Sequence, residues 1–300
     1  MKPTSAILFT LAAATLLFAG CSRQEDQVSE SEQSEPKLAA TQPQRIVSLS
    51  PGTTEILFLL GLQDRIVGVT SYCNYPPEAS EIQKVGDSVT SIETVIELKP
   101  DLVVGHSFLN AQALDSLRAQ RVPVLAVNPK TLRDIARSVE TIAAACGVAD
   151  MGKKIASEML RDIQTIKSEV TQSASRPVVL FVVQSDPLYV AGPRTFVDEM
   201  INLCGGVNAA KSLETEYNIM SDEAAISAAP DLIFVTHPSS RDFFQSAPAW
   251  KAARAVTHNR VVLVNGDLFV RPTPRTVEGL RRMAAEISSL IPPSSGAPGE

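Results

Sequence analysis

The stretch SIETVIELKPDLVVGH, residues 91–106, returns in altered form as SDEAAISAAPDLIFVTH at residues 221–237. Each copy opens on Ser, carries Glu two places later and runs through a short apolar-periodic segment to Pro-Asp-Leu. Each then enters a β-rich run that stops at His. Ser91/Ser221, Glu93/Glu223, Pro100/Pro230 and Asp101/Asp231 share an offset of 130, which slips to 131 at His106/His237. A helix start, a helix end and a strand matched at one offset indicate two lobes built on one plan.

Working outward from the first copy, RIVSL (45–49) reads as a strand. A helix follows from Pro51, with Ser50 as its cap and Gly61 where it closes. RIVGVTSY (65–72) is the next strand, and YPPEA breaks the chain before a helix over 91–98. A strand over 101–105, a helix around 111–120 and the strand VPVLAVN (122–128) complete this half. Around the second copy the series restarts with RPVVLFVV (176–183) and a helix over 194–203. CGG breaks the chain there, before a helix over 221–228, the strand DLIFVT, a helix around 247–254, the strand RVVLVN and a last helix over 274–290. Strands alternating with helices of about ten residues mark βα units around a mostly parallel sheet.

Between the halves, two helical patterns follow Thr131 and are broken at CGVAD. In the second, Ile155, Met159, Ile163, Ile166 and Val170 trace one apolar stripe. Helical from Asp150 to Thr171, it is about 33 Å long, enough for a stiff strut. The expected fold is therefore α/β, with two pseudo-equivalent βα lobes, 45–149 and 173–292, joined by one long helix at 150–172.

Residues 1–20 carry one Lys and an apolar run from Ala6 to Ala19, too short to span a bilayer permanently, and read as a signal peptide. LFAGC at its end resembles the lipobox of bacterial lipoproteins, in which the Cys, here Cys21, is acylated. The alternative is an ordinary secretory signal. Residues 21–44 form a tether with five acids against two bases and almost no large apolar residue, and cannot fold. Its reach is about 26 Å. The tail, 293–300, is disordered by composition. The expected location is the cell envelope, exported and lipid-anchored on the periplasmic face of a membrane. The chain is net acidic at -6 and lacks any basic run with interleaved aromatics, which argues against nucleic acid as a partner. With Cys21 lipidated, Cys73, Cys146 and Cys204 allow at most one intramolecular disulfide, and no spacing resembles a metal site.

Ligands collect at the carboxyl ends of strands in open α/β sheets. That rule selects Ser50, Pro51, Thr53, Tyr72, His106, Phe108, His237, Phe269 and Arg271, with Tyr217 among the aromatics able to stack on a flat ligand. His106 and His237 either meet across a cleft, where imidazoles ligate a metal or haem iron, or bond their own loops. Arg271 and Arg275 either clamp an anionic group or are solvated. Glu93 and Glu223 either complement helix dipoles or anchor a two-fold basic partner. Trp250 packs the second lobe. No nucleophile-elbow, zincin, Walker or dinucleotide motif is present, so no enzyme activity is expected.

RIVSLSPGTTEILFLLG, VGVTSYCNYPPEA, SIETVIELKPDLVVG, CGGVNAA and VNGDLFVRPTPRTVEGL together resemble the cobalamin- and iron-siderophore-binding proteins of bacterial ABC importers, over nearly all of Arg45 to Leu290. The resemblance implies a small-molecule ligand held between the lobes, a corrinoid or a metal chelate, and no cofactor. It also implies a monomer that docks Glu93 and Glu223 onto arginine pockets of the membrane permease. SYCNYPPEA is most similar to the cobalamin binders. In those members tryptophans help enclose the corrin, whereas His106 stands at one such place here. Cys204 matches a cysteine that in some members pairs with the last helix, but LRRMAAEI offers no partner. Haem, a ferric siderophore or an envelope enzyme are the rival readings.

Overall fold

The computed structural model describes residues 42–170 and 176–291. The expected signal peptide, Cys21, the expected tether up to residue 41, residues 171–175 and residues 292–300 lie outside them. Hydrogen bonding within the body extends to Gln42, whose side-chain amide donates to the Gly147 carbonyl at 3.4 Å.

The first lobe runs β1 (Ile46–Ser48), α1 (Pro51–Leu59), β2 (Ile66–Val69), α2 (Ile92–Glu97), β3 (Leu102–His106), α3 (Ala111–Ala119) and β4 (Val124–Val127). Its sheet is wholly parallel, in the order β2-β1-β3-β4. The chain reverses its direction of winding between β1 and β3, and the crevice outside the carboxyl ends of those strands is where such folds accept ligands. Then come α4 (Leu132–Ala145) and α5 (Ala149–Glu169).

The second lobe runs β5 (Val178–Ser185), β6 (Leu188–Ala191), α6 (Phe196–Leu203), β7 (Val207–Asn208), β8 (Tyr217–Ile219), α7 (Asp222–Ser227), β9 (Leu232–Val235), α8 (Pro238–Ser246), α9 (Arg254–Thr257), β10 (Val261–Leu263), α10 (Asp267–Val270) and α11 (Thr276–Ser288). Its sheet has the order β10-β9-β5-β6-β8. The first three strands are parallel, while β6 and β8 pair antiparallel, a hairpin extension that local periodicity did not announce. The helix expected around 247–254 is instead a single turn at Pro248–Trp250 followed by α9, and α8 precedes it unforeseen. Trp250 does pack this lobe, edge-on to Phe244 with ring centres 4.6 Å apart.

The repeat has a structural reason. The Ser91 hydroxyl accepts from the Thr94 N–H at 3.2 Å, and the Ser221 hydroxyl accepts from the Ala224 N–H at 3.2 Å, so both cap their helices. Both helices close on a non-glycine residue in the left-handed region, Lys99 (φ 46°) and Ala229 (φ 50°), immediately before Pro100 and Pro230. The aspartate that follows pins the first strand of its lobe. Asp101 accepts from the N–H groups of Gln44 (2.8 Å) and Arg45 (2.9 Å), and its own N–H donates to the Arg45 carbonyl at 3.0 Å. Asp231 accepts from the Val178 N–H at 2.9 Å and returns a bond to the Val178 carbonyl at 2.8 Å.

Helix α5 is long, as the stripe required, but it does not act alone. Met159, Ile163 and Ile166 pack into the second lobe's core, while Ile155 leans on the first. Helix α4 is shared as well. Leu132, Ile135 and Ala136 belong to the second lobe's core, and Val139, Ile142, Ala143 and Cys146 to the first. The two helices lie so close that a Cβ on Gly152 would come within 2.3 Å of the Ala143 Cβ. The link is therefore a helix pair, because a lone strut would leave the apolar face of α4 in water.

Candidate functional site

Loops after the strand ends of the first lobe present the expected residues in different states. At the end of β1, Ser50 caps α1, and its hydroxyl lies 2.8 Å from that of Thr53. Thr53 also meets the Ser48 hydroxyl at 2.7 Å, and Thr54 donates to Ser48 at 2.8 Å. Thr53 is consequently buried and committed within its own turn. Ser50 is buried too, while Pro51 keeps partial exposure at the first position of the helix.

Tyr72, after β2, is 55% exposed, and Phe108, after β3, is 79% exposed, with Leu109 beside it at 70%. Side chains of this size left in water mark a surface meant to be covered. Strands β2 and β3 flank β1, so the strand ends that carry these loops are about 10 Å apart. Asn110 holds the crevice between β1 and β3 in shape. Its amide donates to the Leu49 carbonyl at 3.0 Å and its oxygen accepts the His106 N–H at 2.7 Å.

His106 is half-buried at the end of β3. Its Nδ1 accepts from the backbone N–H groups of Phe108 (3.2 Å) and Leu109 (3.3 Å). Burial holds the imidazole below its ordinary value, with Glu216 of the second lobe pulling less strongly the other way. His237 does not join it as a partner: it is exposed at the start of α8, with Nδ1 2.8 Å from the Thr236 hydroxyl. Tyr217 stacks on Tyr189 with ring centres 6.3 Å apart, and burial pushes its phenol well above the usual range. Phe269 is fully buried between Phe181 and Phe234, at 5.3 and 6.3 Å, so it is core rather than cleft wall.

The lobes are bridged at opposite edges of the first-lobe sheet. On the β2 side, the Glu55 carboxylate, 4% exposed, receives Arg271 at 2.9 Å and Arg275 at 3.1 Å from the second lobe. Arg271 also meets Asn74 at 2.9 Å and Asp267 at 3.1 Å, and the Arg275 guanidinium lies 3.5 Å over the Tyr75 ring. Pro272 sits on the start of α1, where a Cβ on Gly52 would meet its ring at 3.3 Å. On the β4 side, Lys130 pairs with Glu216, and Glu199 accepts the Leu132 N–H at 2.7 Å, capping α4 from the other lobe. Three inter-strand spacings separate these edges, about 14 Å. Between them end the inner strands β1 and β3, with Ser50 just past the first and His106 closing the second. Glu55, Asn74, Asn110, Lys130 and Glu216 were not singled out from sequence. Glu55 and Arg275 are 220 residues apart, beyond any local pattern.

Glu93 and Glu223 are both exposed in the first turns of α2 and α7, away from the bridges. Cys73, Cys146 and Cys204 are free and buried, and no cluster of metal-ligating side chains exists among the described residues. Two hollows, of about 530 and 270 Å³, lie on the flank of α1 around Phe58 and Pro76, the smaller walled also by Glu55, Tyr75 and Arg275 of the bridge.

Two lobes facing each other across strand ends, tied by a helix pair and by polar bridges at both edges, define a bilobal ligand-capture protein. The chain belongs to the periplasmic binding protein family, whose model matches residues 46–268. It is 33% identical over 308 residues to an uncharacterized ABC transporter substrate-binding lipoprotein of Bacillus subtilis, YvrC, covering 96% of this chain and 98% of that one. Among solved structures it is similar to the periplasmic vitamin B12 binding protein BtuF of Vibrio cholerae, with a TM-score of 0.75 at 28% identity, covering 82% of this chain and 97% of that one. It is similar to the same degree to the periplasmic heme-binding protein RhuT from Roseiflexus sp. RS-1 in apo form, with a TM-score of 0.74 at 29% identity, covering 82% and 98%.

Proposed function

We propose that this chain is an exported, lipid-anchored substrate-binding protein that captures a corrinoid between its lobes and delivers it to an ABC permease. Likeness to the two solved structures favours a corrinoid and haem equally, so the chemistry of the site must choose. One observation carries the choice. The cations at the lobe junction are already paired: Arg271 with Glu55 and Asp267, Arg275 with Glu55, and Lys130 with Glu216.

Haem propionates and anionic ferric chelates need cations to spare, because an unpaired buried carboxylate is costly. A corrin rim carries uncharged amides, which suit apolar walls with a few hydrogen-bonding groups. Tyr72 and Phe108 supply the wall, and Ser50, Pro51 and His106 edge it. Glu93 and Glu223, matched on the two lobes, are the anchors for arginines of a two-fold permease, and Cys21 is the site of acylation, in keeping with the lipoprotein relative.

Calorimetric titration of the chain from Gln42 onward tests the cargo, with cyanocobalamin as ligand and haemin as the parallel. Saturable one-to-one heat with cyanocobalamin and none with haemin is the expected result. The reverse pattern would transfer the reading to haem.

A further inference from the structure

We propose that His106 is a fixed hydrogen-bond donor, recognising an uncharged carbonyl-type oxygen on the ligand through Nε2–H, and that it does not ligate a bound metal. This deepens the capture reading above and rests on it.

The reasoning starts from the two backbone N–H groups of Phe108 and Leu109, which converge on Nδ1 at 3.2 and 3.3 Å. A ring nitrogen that accepts cannot also carry a proton, so the neutral imidazole bears its hydrogen on Nε2. Metal ligation through Nε2 would require that proton to move to Nδ1, directly against two donors. Turning the ring over would forfeit both bonds and hand the two N–H groups to water.

The loop itself is held. The His106 N–H donates to Asn110 at 2.7 Å, and the Asn110 N–H donates back to the His106 carbonyl at 2.9 Å. Backbone and side chain therefore fix the ring's direction before any ligand arrives. Burial keeps the ring uncharged, and the charge acting on it from the facing lobe, Glu216, is itself held by Lys130. A neutral donor flanked by Phe108 and Leu109 discriminates by leaving a polar group unpaired when the ligand offers no acceptor.

The test uses the full chain in detergent, labelled with ¹⁵N-histidine. Long-range proton–nitrogen spectra should show the Nε2–H tautomer at His106 in the free protein, whereas an Nδ1–H tautomer would overturn the proposal whatever the ligand. Two variants then separate donor from metal ligand. His106→Gln keeps an N–H donor, and His106→Met keeps a metal-binding atom without one.

For cyanocobalamin, Gln should hold affinity within about threefold and Met should lose about tenfold, one hydrogen bond's worth. Affinity retained by Met and lost by Gln would overturn the proposal. So would a histidine-ligated haem spectrum in the wild-type protein with haemin that disappears in Gln. Binding of neither probe would remove the capture reading, and the recognition role with it, while the tautomer spectrum still reports on the ring.

Discussion

Replacing Glu55 with Ala removes the carboxylate on which the β2-side bridge converges. Its side chain is 4% exposed and serves Arg271 (11% exposed) and Arg275 (20% exposed) together, with the Thr273 hydroxyl at 3.4 Å completing its shell. Without it, two guanidinium groups remain in the junction with one carboxylate, Asp267, still 3.1 Å from Arg271. Breaking a buried pair from one side costs about 3–5 kcal/mol. The residual Asp267 contact and the partial exposure of Arg275 place this case at the low end, ~3 kcal/mol. For a body of this size that corresponds to a fall in Tm of roughly 6–12 °C.

Urea unfolding followed by circular dichroism is the assay, with Glu55→Gln expected to lose about half as much because it keeps an acceptor oxygen. Replacing Glu55, Arg271 and Arg275 together with apolar residues of like volume should restore most of the loss, since the desolvation penalty goes with the charges. A loss below about 1 kcal/mol for Glu55→Ala, the range of exposed pairs, would refute the reasoning. It would mean that the guanidinium groups reach water and the bridge is open in solution.

Other expectations follow from the same structure. Burial pushes the thiols of Cys146 and Cys204 from 9.0 up to about 11 and about 12, so both should resist iodoacetamide at pH 8 until urea unfolds the chain. Because each thiol holds its proton more tightly folded than unfolded, their contribution to stability is complete below pH 9.0 and lost as pH climbs toward about 12. Fast labelling in the native state would contradict both statements. Glu93→Ala with Glu223→Ala should leave cyanocobalamin affinity unchanged and abolish stimulation of permease ATPase, and intact stimulation would remove their docking role. Cys21→Ala should release the protein from membranes on fractionation, whereas a protein that stays with the membrane is not held by an acyl chain at Cys21. Asp231→Ala should cost about 2 kcal/mol and exceed Asp101→Ala, because Asp231 is the less exposed of the two strand pins; equal losses would show that burial does not set their worth.

The lobes, their strand order of appearance and the long helix were legible because each rests on local chemistry: Ser91 and Ser221 as caps, Pro-Asp-Leu as a strand pin, Met159 to Ile166 as a stripe. Helix α8 was legible in principle, since Pro238 stands at its first position, but Phe243 and Phe244 side by side obscure its period. The β6 strand follows Asp186-Pro187, a turn signal after the run RPVVLFVV whose four-residue sequel LYVA is too short to show a period of its own. At the site, local reading pointed to the loops at strand ends and passed over Glu55, Asn74, Asn110, Lys130 and Glu216, whose partners are set by packing between distant segments. Arg271 was read as either a clamp or a solvated side chain, because Glu55, its partner, lies within an apolar helix. Phe269 was placed on the cleft by its position in the loop, and only three-dimensional packing shows it facing Phe181.

Helix α4 lends its first turns to one core and its last turns to the other, so neither half of this chain is complete without a segment from across the boundary. Calorimetric melting should accordingly register one transition, and a split or chimaeric protein cut near Ala149 would leave each fragment with an unfilled groove. The same sharing limits how far the lobes can part, since moving either one off the α4 and α5 pair would disturb packing that both depend on.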